Sequence, residues 1–181
     1  MRIDRNQKLK TLLGKTIRPT SSKVKEALFN IWQGKITGCS LLDLCAGSGA
    51  IGYEALYRGA TLVVGIEKHG KACAVINTNW LKISSSEKSF KVIKGDALRI
   101  LNSLEEQQFD FIYFDPPYRS NLYQPTLELI AIKNILAKSG EIAVEHDSRL
   151  WKAKEIKKLK IIRKKYYGDT NLTFYQPNLD S

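Results

Sequence analysis

A glycine-rich stretch early in the chain has the composition of a ligand-binding loop. The stretch "DLCAGSGAIG" places Gly47, Gly49 and Gly52 in the spacing G-x-G-x-x-G, after an apolar run and at the start of a predicted helix. Small residues let the backbone turn tightly and approach a ligand, and the first turn of a helix presents free N–H groups. Dinucleotide-binding dehydrogenases use the same spacing, as do tight turns without a ligand. The loop alone therefore leaves the ligand open.

Two acidic residues near this loop narrow the choice of ligand. Asp43 lies four residues before Gly47, at the end of the preceding apolar run, where its carboxylate can hold a cationic amine and would repel a pyrophosphate. Glu67 closes the next apolar run, where an acid can accept hydrogen bonds from both hydroxyls of a ribose. Together these carboxylates favour a ribose that carries an amino acid over a dinucleotide.

A second candidate site follows the fourth apolar run, in "FIYFDPPYRS". Two consecutive prolines remove two N–H donors and stiffen the turn, so the Asp115 carboxylate and the Pro116 carbonyl remain as acceptors on a rigid rim. Two acceptors suit the hydrogens of an exocyclic amino group, whose lone pair they can direct towards an electrophile. Tyr118 adds a flat ring against which a flipped base can stack. The alternative is a proline-terminated strand beside a half-buried tyrosine.

The order of these motifs resembles that of the class I S-adenosylmethionine-dependent methyltransferases, whose successive cofactor motifs are similar to "DLCAGSGAIG", "GIEK" and "KGDA". The resemblance implies S-adenosylmethionine as the cofactor and a set of cofactor-binding residues: Asp43, Ala46, Gly47, Gly49, Gly52, Glu67, Asp96 and Ala97. In this set Asp43 and the loop face the methionine portion, Glu67 the ribose, and Asp96 with Ala97 the adenine. Asp96 equally suits the N-cap of a helix at "ALRILNSL", and both roles can coexist.

The segment "IRPTSSKVKEALFNIWQGKI", followed by "LLDLCAGSGAIGYEALYRGA", resembles the bacterial RsmD family of small-subunit ribosomal RNA guanine-N2 methyltransferases. The resemblance implies methyl transfer to a guanine amino group, with Asp115, Pro116 and Tyr118 as catalytic residues and Arg18 and Thr20 at the RNA. An ordinary salt bridge is the alternative for Arg18. DNA adenine amino methyltransferases share "DPPY", although their usual target-recognition domain is not evident here. A non-catalytic RNA-binding factor on the same scaffold is a third reading.

The charge of the chain is strongly positive and uneven. Lys and Arg number 29 against 18 Asp and Glu, a formal net charge of +11, which favours polyanionic partners. Eight of the first 25 residues are basic and one is acidic, so residues 1–16 are predicted to form a basic N-terminal arm that meets RNA. The stretch "KKLKIIRKK" at 157–165 holds six more basic residues. It either extends the phosphate-binding surface or is a solvated strand.

Apolar runs of strand length alternate with helix-length segments from Ser40 onward. They predict strands at 40–45, 61–67, 90–95, 109–115 and 141–146, and a doubly wound, mostly parallel α/β sheet of the Rossmann-like type. Residues 159–176 predict two strands joined around Gly168 and Asp169, an antiparallel hairpin at one end of the sheet. An amphipathic helix is predicted in "TSSKVKEALFNIWQG". Because parallel strands share one carboxyl edge, the motifs above should meet in one crevice.

Length and the remaining residue types bound the organisation of the protein. A chain of 181 residues predicts one domain, 1–181. Cys39, Cys45 and Cys73 lack zinc-ligand spacing, so we expect no metal site and interpret the thiols as buried or half-buried fillers. His146 is interpreted as a polar residue at a strand end. Without a signal peptide or a run of about 18 apolar residues, we expect a cytoplasmic monomer with no membrane contact. Its expected partner is ribosomal RNA, free or in the assembled small subunit.

Overall fold

The computed structural model describes residues 22–104 and 107–178, which form five helices and seven strands. The helices are α1 (Ser22–Ile31), α2 (Ala50–Tyr57), α3 (Gly70–Trp80), α4 (Ala97–Ser103) and α5 (Tyr123–Ile132). The strands are β1 (Ser40–Leu44), β2 (Leu62–Glu67), β3 (Ser89–Lys94), β4 (Phe109–Phe114), β5 (Leu136–His146), β6 (Leu159–Tyr167) and β7 (Thr170–Pro177). The basic arm at 1–16, Arg18 and Thr20 lie outside these described residues.

The strands form one sheet in the order β3-β2-β1-β4-β5-β7-β6. Strands β3, β2, β1, β4 and β5 are parallel to one another, whereas β7 is antiparallel to both β5 and β6. The prediction of a doubly wound, mostly parallel sheet with an antiparallel C-terminal hairpin is confirmed. Chain order reverses between β1 and β4, so the sheet has a switch point there, and a crevice is expected at the carboxyl ends of these strands.

Helices cover both faces of the sheet and create two apolar layers. We call the side of α1, α2 and α3 the first face; its buried residues include Trp32, Trp80 and Phe111. The second face carries α4 and α5, with Leu101 and Leu127 among its buried residues. Strands buried on both sides need apolar residues at successive positions, which explains the nearly continuous apolar runs of β1, β2 and β4.

Helix α1 is anchored on the first face at its carboxyl end. Val24, Leu28 and Trp32 are buried at the spacing of one helical stripe, as the sequence predicts. The indole Nε1 of Trp32 donates a hydrogen bond of 3.3 Å to the buried Glu141 carboxylate, and Lys35 forms an ion pair with the same carboxylate at 2.6 Å. The buried acid of β5 is thus compensated by a donor and a cation.

Strand β5 is longer than the apolar pattern indicates. The sequence predicts a strand at 141–146, but β5 begins at Leu136, with a register shift against β4 between Phe109 and Phe111. Polar residues between the two apolar parts hide this early segment. Gly140 is required there, because a Cβ at this position would lie 2.8 Å from the Asp110 carbonyl oxygen.

The structure also describes the three cysteine thiols and the length of every helix in residues 22–104 and 107–178. Cys39 and Cys73 are buried and Cys45 is half-buried, as the sequence predicts, and all three thiols are free. Within residues 22–104 and 107–178, no helix combines the length and the apolar character needed to cross a membrane.

Candidate active site

A cavity of about 660 Å³ lies at the carboxyl ends of β1, β2, β4 and β5, where the switch point predicts a crevice. Its size is typical of small-molecule sites. Of the eleven predicted catalytic and cofactor residues, nine line it: Asp43, Ala46, Gly47, Glu67, Asp96, Ala97, Asp115, Pro116 and Tyr118. Gly49 and Gly52 are not in this lining, and their role follows from different contacts.

Gly49 and Gly52 make room for an indole ring. A Cβ on Gly52 would lie 2.1 Å from the Trp80 ring, and one on Gly49 would lie 2.9 Å from Ile76 in α3. Gly49 also has a φ of +72°, and its carbonyl accepts a 2.8 Å hydrogen bond from the Trp80 indole. These two glycines of the G-x-G-x-x-G spacing therefore serve the packing of α3 against the loop and α2.

Glu67 is held in a fixed orientation at the end of β2. One carboxylate oxygen accepts a hydrogen bond from the Gly47 N–H at 2.8 Å, and the other accepts one from the His69 N–H at 2.8 Å. Each carboxylate oxygen retains acceptor capacity beyond these bonds. A side chain fixed by two backbone donors can therefore still accept the hydroxyls of a diol from the cavity.

Asp43 is buried beneath the same loop. Its side chain accepts a 3.1 Å hydrogen bond from the Gly52 N–H, and the residue is only 1% exposed. Burial raises the pKa of this carboxyl from 3.8 to about 8, because the low dielectric penalises the charged form. At neutral pH the carboxyl therefore holds a proton until a cation in the cavity stabilises its ionised form.

Several acids lie around Cys45 in the cavity wall, although the chain as a whole is basic. Burial raises the pKa of the Cys45 thiol to about 12, and the carboxylates of Glu67, Asp115, Asp43 and Asp96 add to the effect. Glu67, Asp96 and Asp115, joined by Asp43 once a cation stabilises its ionised form, thus favour a cationic ligand over a phosphate in this cavity.

Asp96 is the N-cap of α4 and also lies in the cavity wall. Its side chain caps α4 by accepting hydrogen bonds from the N–H groups of Leu98 (3.1 Å) and Arg99 (3.3 Å). Asp96 and Ala97 also line the cavity. Both capping bonds go to Oδ1, so the cap and a contact to a ligand from this turn can coexist.

The "DPPY" turn is fixed at both of its ends. The Asp115 N–H donates to the Leu44 carbonyl at 3.4 Å, and the Ser120 N–H donates to the Pro117 carbonyl at 2.8 Å. The half-buried Tyr118 donates from its hydroxyl to Glu145 at 2.9 Å, and this hydroxyl lies 3.3 Å from the Thr170 hydroxyl. The turn therefore presents Asp115 and Pro116 to the cavity on a braced scaffold.

Glu145 is a cavity residue that our sequence reasoning missed. It precedes His146, the last residue of β5, is 4% exposed and lines the cavity. One of its carboxylate oxygens accepts a hydrogen bond from the buried Tyr113 hydroxyl and the other accepts one from Tyr118. The signal was present, since Glu145 lies near the carboxyl end of a predicted strand, as Glu67 does.

His146, by contrast, is not among the cavity-lining residues. Its Nε2 lies 2.9 Å from the Thr173 hydroxyl, and its ring packs edge-on against Trp151. Burial lowers the pKa of this imidazole. The structure thus places His146 in the sheet, as a polar residue at a strand end.

Comparisons with known proteins agree with this geometry. The family described as conserved hypothetical protein 95 matches residues 3–176. YlbH of Bacillus subtilis strain 168, provisionally named an rRNA methyltransferase, is 34% identical over 174 residues, which cover 95% of this chain and 94% of that protein. The ribosomal RNA small subunit methyltransferase D of Haemophilus influenzae is 34% identical over 78% of this chain and 74% of that protein. The structure of Escherichia coli yhhF, provisionally named a methyltransferase, superposes with a TM-score of 0.78 at 28% identity, covering 89% of this chain and 88% of that one.

Proposed function

This chain belongs to the RsmD family, described as conserved hypothetical protein 95, and we propose that it transfers a methyl group from S-adenosylmethionine to the exocyclic amino group of a guanine in small-subunit ribosomal RNA. One observation carries the proposal: the Asp43 and Glu67 carboxylates and the Asp115–Pro116 acceptor pair line the same cavity. A cofactor and a target amine can therefore meet there. The names of the relatives support ribosomal RNA as the substrate class.

The residues of the cavity fit S-adenosylmethionine. Bound there, this cofactor supplies an electrophilic methyl group on a cationic sulfonium. Glu67 would accept the ribose hydroxyls, and Asp43 would pair with the ammonium of the methionine portion. The backbone at Asp96 and Ala97 would meet the adenine. The acids of the lining match the ammonium, the sulfonium and the ribose diol of this cofactor, whereas a pyrophosphate would face the same acids unfavourably.

The target amine would be activated by the rim of the cavity. The lone pair of a nucleobase amino group is delocalised into the ring, so the nitrogen is a poor nucleophile. Hydrogen bonds from its two hydrogens to the Asp115 carboxylate and the Pro116 carbonyl favour a pyramidal nitrogen with its lone pair directed into the cavity. As the nitrogen gains positive charge, the Asp115 carboxylate stabilises it and accepts the departing proton, directly or through water.

Glu145 supports guanine over adenine as the target base. Guanine presents an N1–H donor next to its amino group, whereas adenine presents an acceptor at the corresponding ring nitrogen. The Glu145 carboxylate, which lines the cavity, would accept the N1–H of guanine and would repel the ring nitrogen acceptor of adenine. Tyr118 would stack on the base while its hydroxyl bonds to Glu145 and Thr170 hold the ring in place. This arrangement favours guanine over the DNA adenine alternative.

Label transfer tests the proposal directly. The full chain would be incubated with methyl-tritiated cofactor and, in parallel, with ribosomal RNA, small ribosomal subunits and genomic DNA, followed by nucleoside analysis. We expect label in N2-methylguanosine from an RNA sample, and comparison of naked RNA with subunits would identify the preferred form. Label in DNA adenine would establish the alternative chemistry. RNA binding with bound cofactor and no label would establish a non-catalytic factor.

A further inference from the structure

The hairpin of β6 and β7 reaches the rim of the cavity. Thr170 begins β7, and its hydroxyl lies 3.3 Å from that of Tyr118 in the "DPPY" turn. Glu145 of β5 pairs with Leu172 of β7, which lies two residues further on. The end of β6 at Tyr167, which pairs with Thr170, is therefore beside the site at which a target nucleotide would enter.

A β-bulge in β6 determines which basic side chains of this strand lie on the first face of the sheet. Ile161 pairs with Tyr175 on the second face, whereas Arg163 pairs with Phe174 on the first face, so Ile162 is the additional residue. Without the bulge, simple alternation from Ile161 would place Arg163 and Lys165 on the second face. The bulge turns both towards the first face, because an inserted residue reverses the alternation that follows it.

The part of the cavity wall formed by Glu145 and Tyr113 lies on the first face. Glu145 pairs with Leu172 of β7, and Lys165 of β6 pairs with the same Leu172 from the other edge of β7. Leu172 belongs to the apolar layer of the first face. Lys164, by contrast, pairs with Thr173, whose hydroxyl contacts His146 on the second face. Two adjacent and exposed lysines of one strand thus lie on opposite faces of the sheet.

The two first-face cations are available to an anion. Within residues 22–104 and 107–178, neither Arg163 nor Lys165 forms an ion pair with a carboxylate, whereas Arg149 is paired with both Asp147 and Asp169. The Arg163 guanidinium lies 5.5 Å from the centroid of the Phe174 ring, a cation–π contact that orients it while its N–H groups can still donate.

We propose that Arg163 and Lys165 bind phosphates of the RNA segment that flanks the target nucleotide. The inference rests on the proposed function and adds the path of the RNA across the first face of the hairpin. Lys165 pairs with Leu172, two residues from Thr170, which is about 7 Å along an antiparallel strand. A polyanion whose base occupies the cavity would pass within reach of both cations. The competing role, lysines that protect an edge strand from pairing with another chain, would not distinguish the two faces.

Adjacent lysines on opposite faces provide a matched test. Lys165→Gln and Lys164→Gln remove the same charge from the same strand, so they change the overall attraction to RNA equally. The affinity of each full-length variant for ribosomal RNA would be measured over a series of salt concentrations. For Lys165→Gln we expect the slope of log affinity against log salt to fall in magnitude by about 0.7 to 0.9, the value for one phosphate contact. Arg163→Gln combined with Lys165→Gln should remove about twice that amount. Lys164→Gln should retain the wild-type slope.

Methyl transfer by the same variants separates this inference from the proposed function. We expect Lys165→Gln to raise the KM for RNA several-fold with an unchanged kcat, and S-adenosylhomocysteine affinity to remain at the wild-type value. Equal slopes for Lys164→Gln and Lys165→Gln, with methyl transfer intact, would overturn the inference and leave the proposed function standing. If Lys165→Gln lowers the slope and Lys164→Gln does not, but the wild-type protein transfers no methyl group, the proposed function alone is refuted.

Discussion

The buried carboxyl of Asp43 predicts that cofactor binding releases a proton. Burial raises the pKa of Asp43 to about 8 in the protein without ligand. At pH 7 about nine-tenths of the molecules then hold a proton at this site. If Asp43 pairs with the ammonium of the methionine portion, the bound complex requires the ionised carboxylate. The proton must therefore leave on binding, and the affinity must rise with pH as long as the ligand amine stays charged.

The magnitude follows from the same pKa. Between pH 6 and pH 7 the fraction of ionised Asp43 in the free protein rises about ninefold, so the affinity for S-adenosylhomocysteine should rise about ninefold as well. At pH 8 Asp43 is about half ionised, so the gain in affinity diminishes there and ends above this pH. The affinity should therefore rise steeply up to about pH 8 and level off above it.

Calorimetric titration measures both quantities. S-adenosylhomocysteine would be titrated at pH 6, 7 and 8, and at pH 7 in two buffers of different ionisation enthalpy, which gives the number of protons released. We expect about 0.9 proton at pH 7. Asp43→Asn is the control, because it keeps the shape and an oxygen acceptor for the Gly52 N–H while it cannot ionise. It should bind more weakly at pH 8, release no proton from this site and lose the ninefold dependence. A wild-type protein that binds with no proton release, or an Asn variant with the full pH dependence, would refute the reasoning.

Three substitutions test other parts of the site. Asp115→Asn should keep cofactor affinity and lose about 100- to 1000-fold in single-turnover methyl transfer, since the charge that stabilises the developing cation is gone; near wild-type transfer would contradict the acceptor role. Gly52→Ala should lower the free energy of unfolding, measured by urea denaturation, by about 1 to 3 kcal/mol through overpacking. Gly70→Ala is the control and should change this free energy little, because its Cβ would lie 3.4 Å from a flexible lysine. Equal effects of the two substitutions would argue against the packing role of Gly52. Tyr118→Phe should lower kcat/KM for RNA about tenfold, because it removes a charge-assisted hydrogen bond to Glu145; an unchanged value would show that stacking alone suffices.

Apolar patterning predicted the fold, but single residues of the site needed the structure. Strands β1, β2 and β4 are buried on both faces, so their sequences are apolar throughout and easy to recognise. The spacing G-x-G-x-x-G predicted a loop without indicating that Gly49 and Gly52 contact α3, because the Trp80 ring that requires them comes from 28 positions or more along the chain. The bulge at Ile162 was equally hidden. Its effect depends on pairing with β7, which local sequence does not encode.

The acidic cavity and the basic surface have opposite requirements, and the sheet separates them. A cavity lined by Asp43, Glu67, Asp115 and Glu145 attracts the cationic cofactor and would repel the phosphates of a nucleic acid. RNA must therefore be held by cations outside the cavity, with only the target base entering it. The chain meets this requirement by placing Asp115 directly after β4 and Glu145 near the end of β5, and by carrying Arg163 and Lys165 on the outermost strand. A substitution that reverses charge at the edge strand should thus weaken RNA binding and spare the cofactor. Removing the carboxylate of Asp43 or Glu67, the two acids assigned to the cofactor, should weaken cofactor binding and, by reducing repulsion, leave RNA affinity equal or greater.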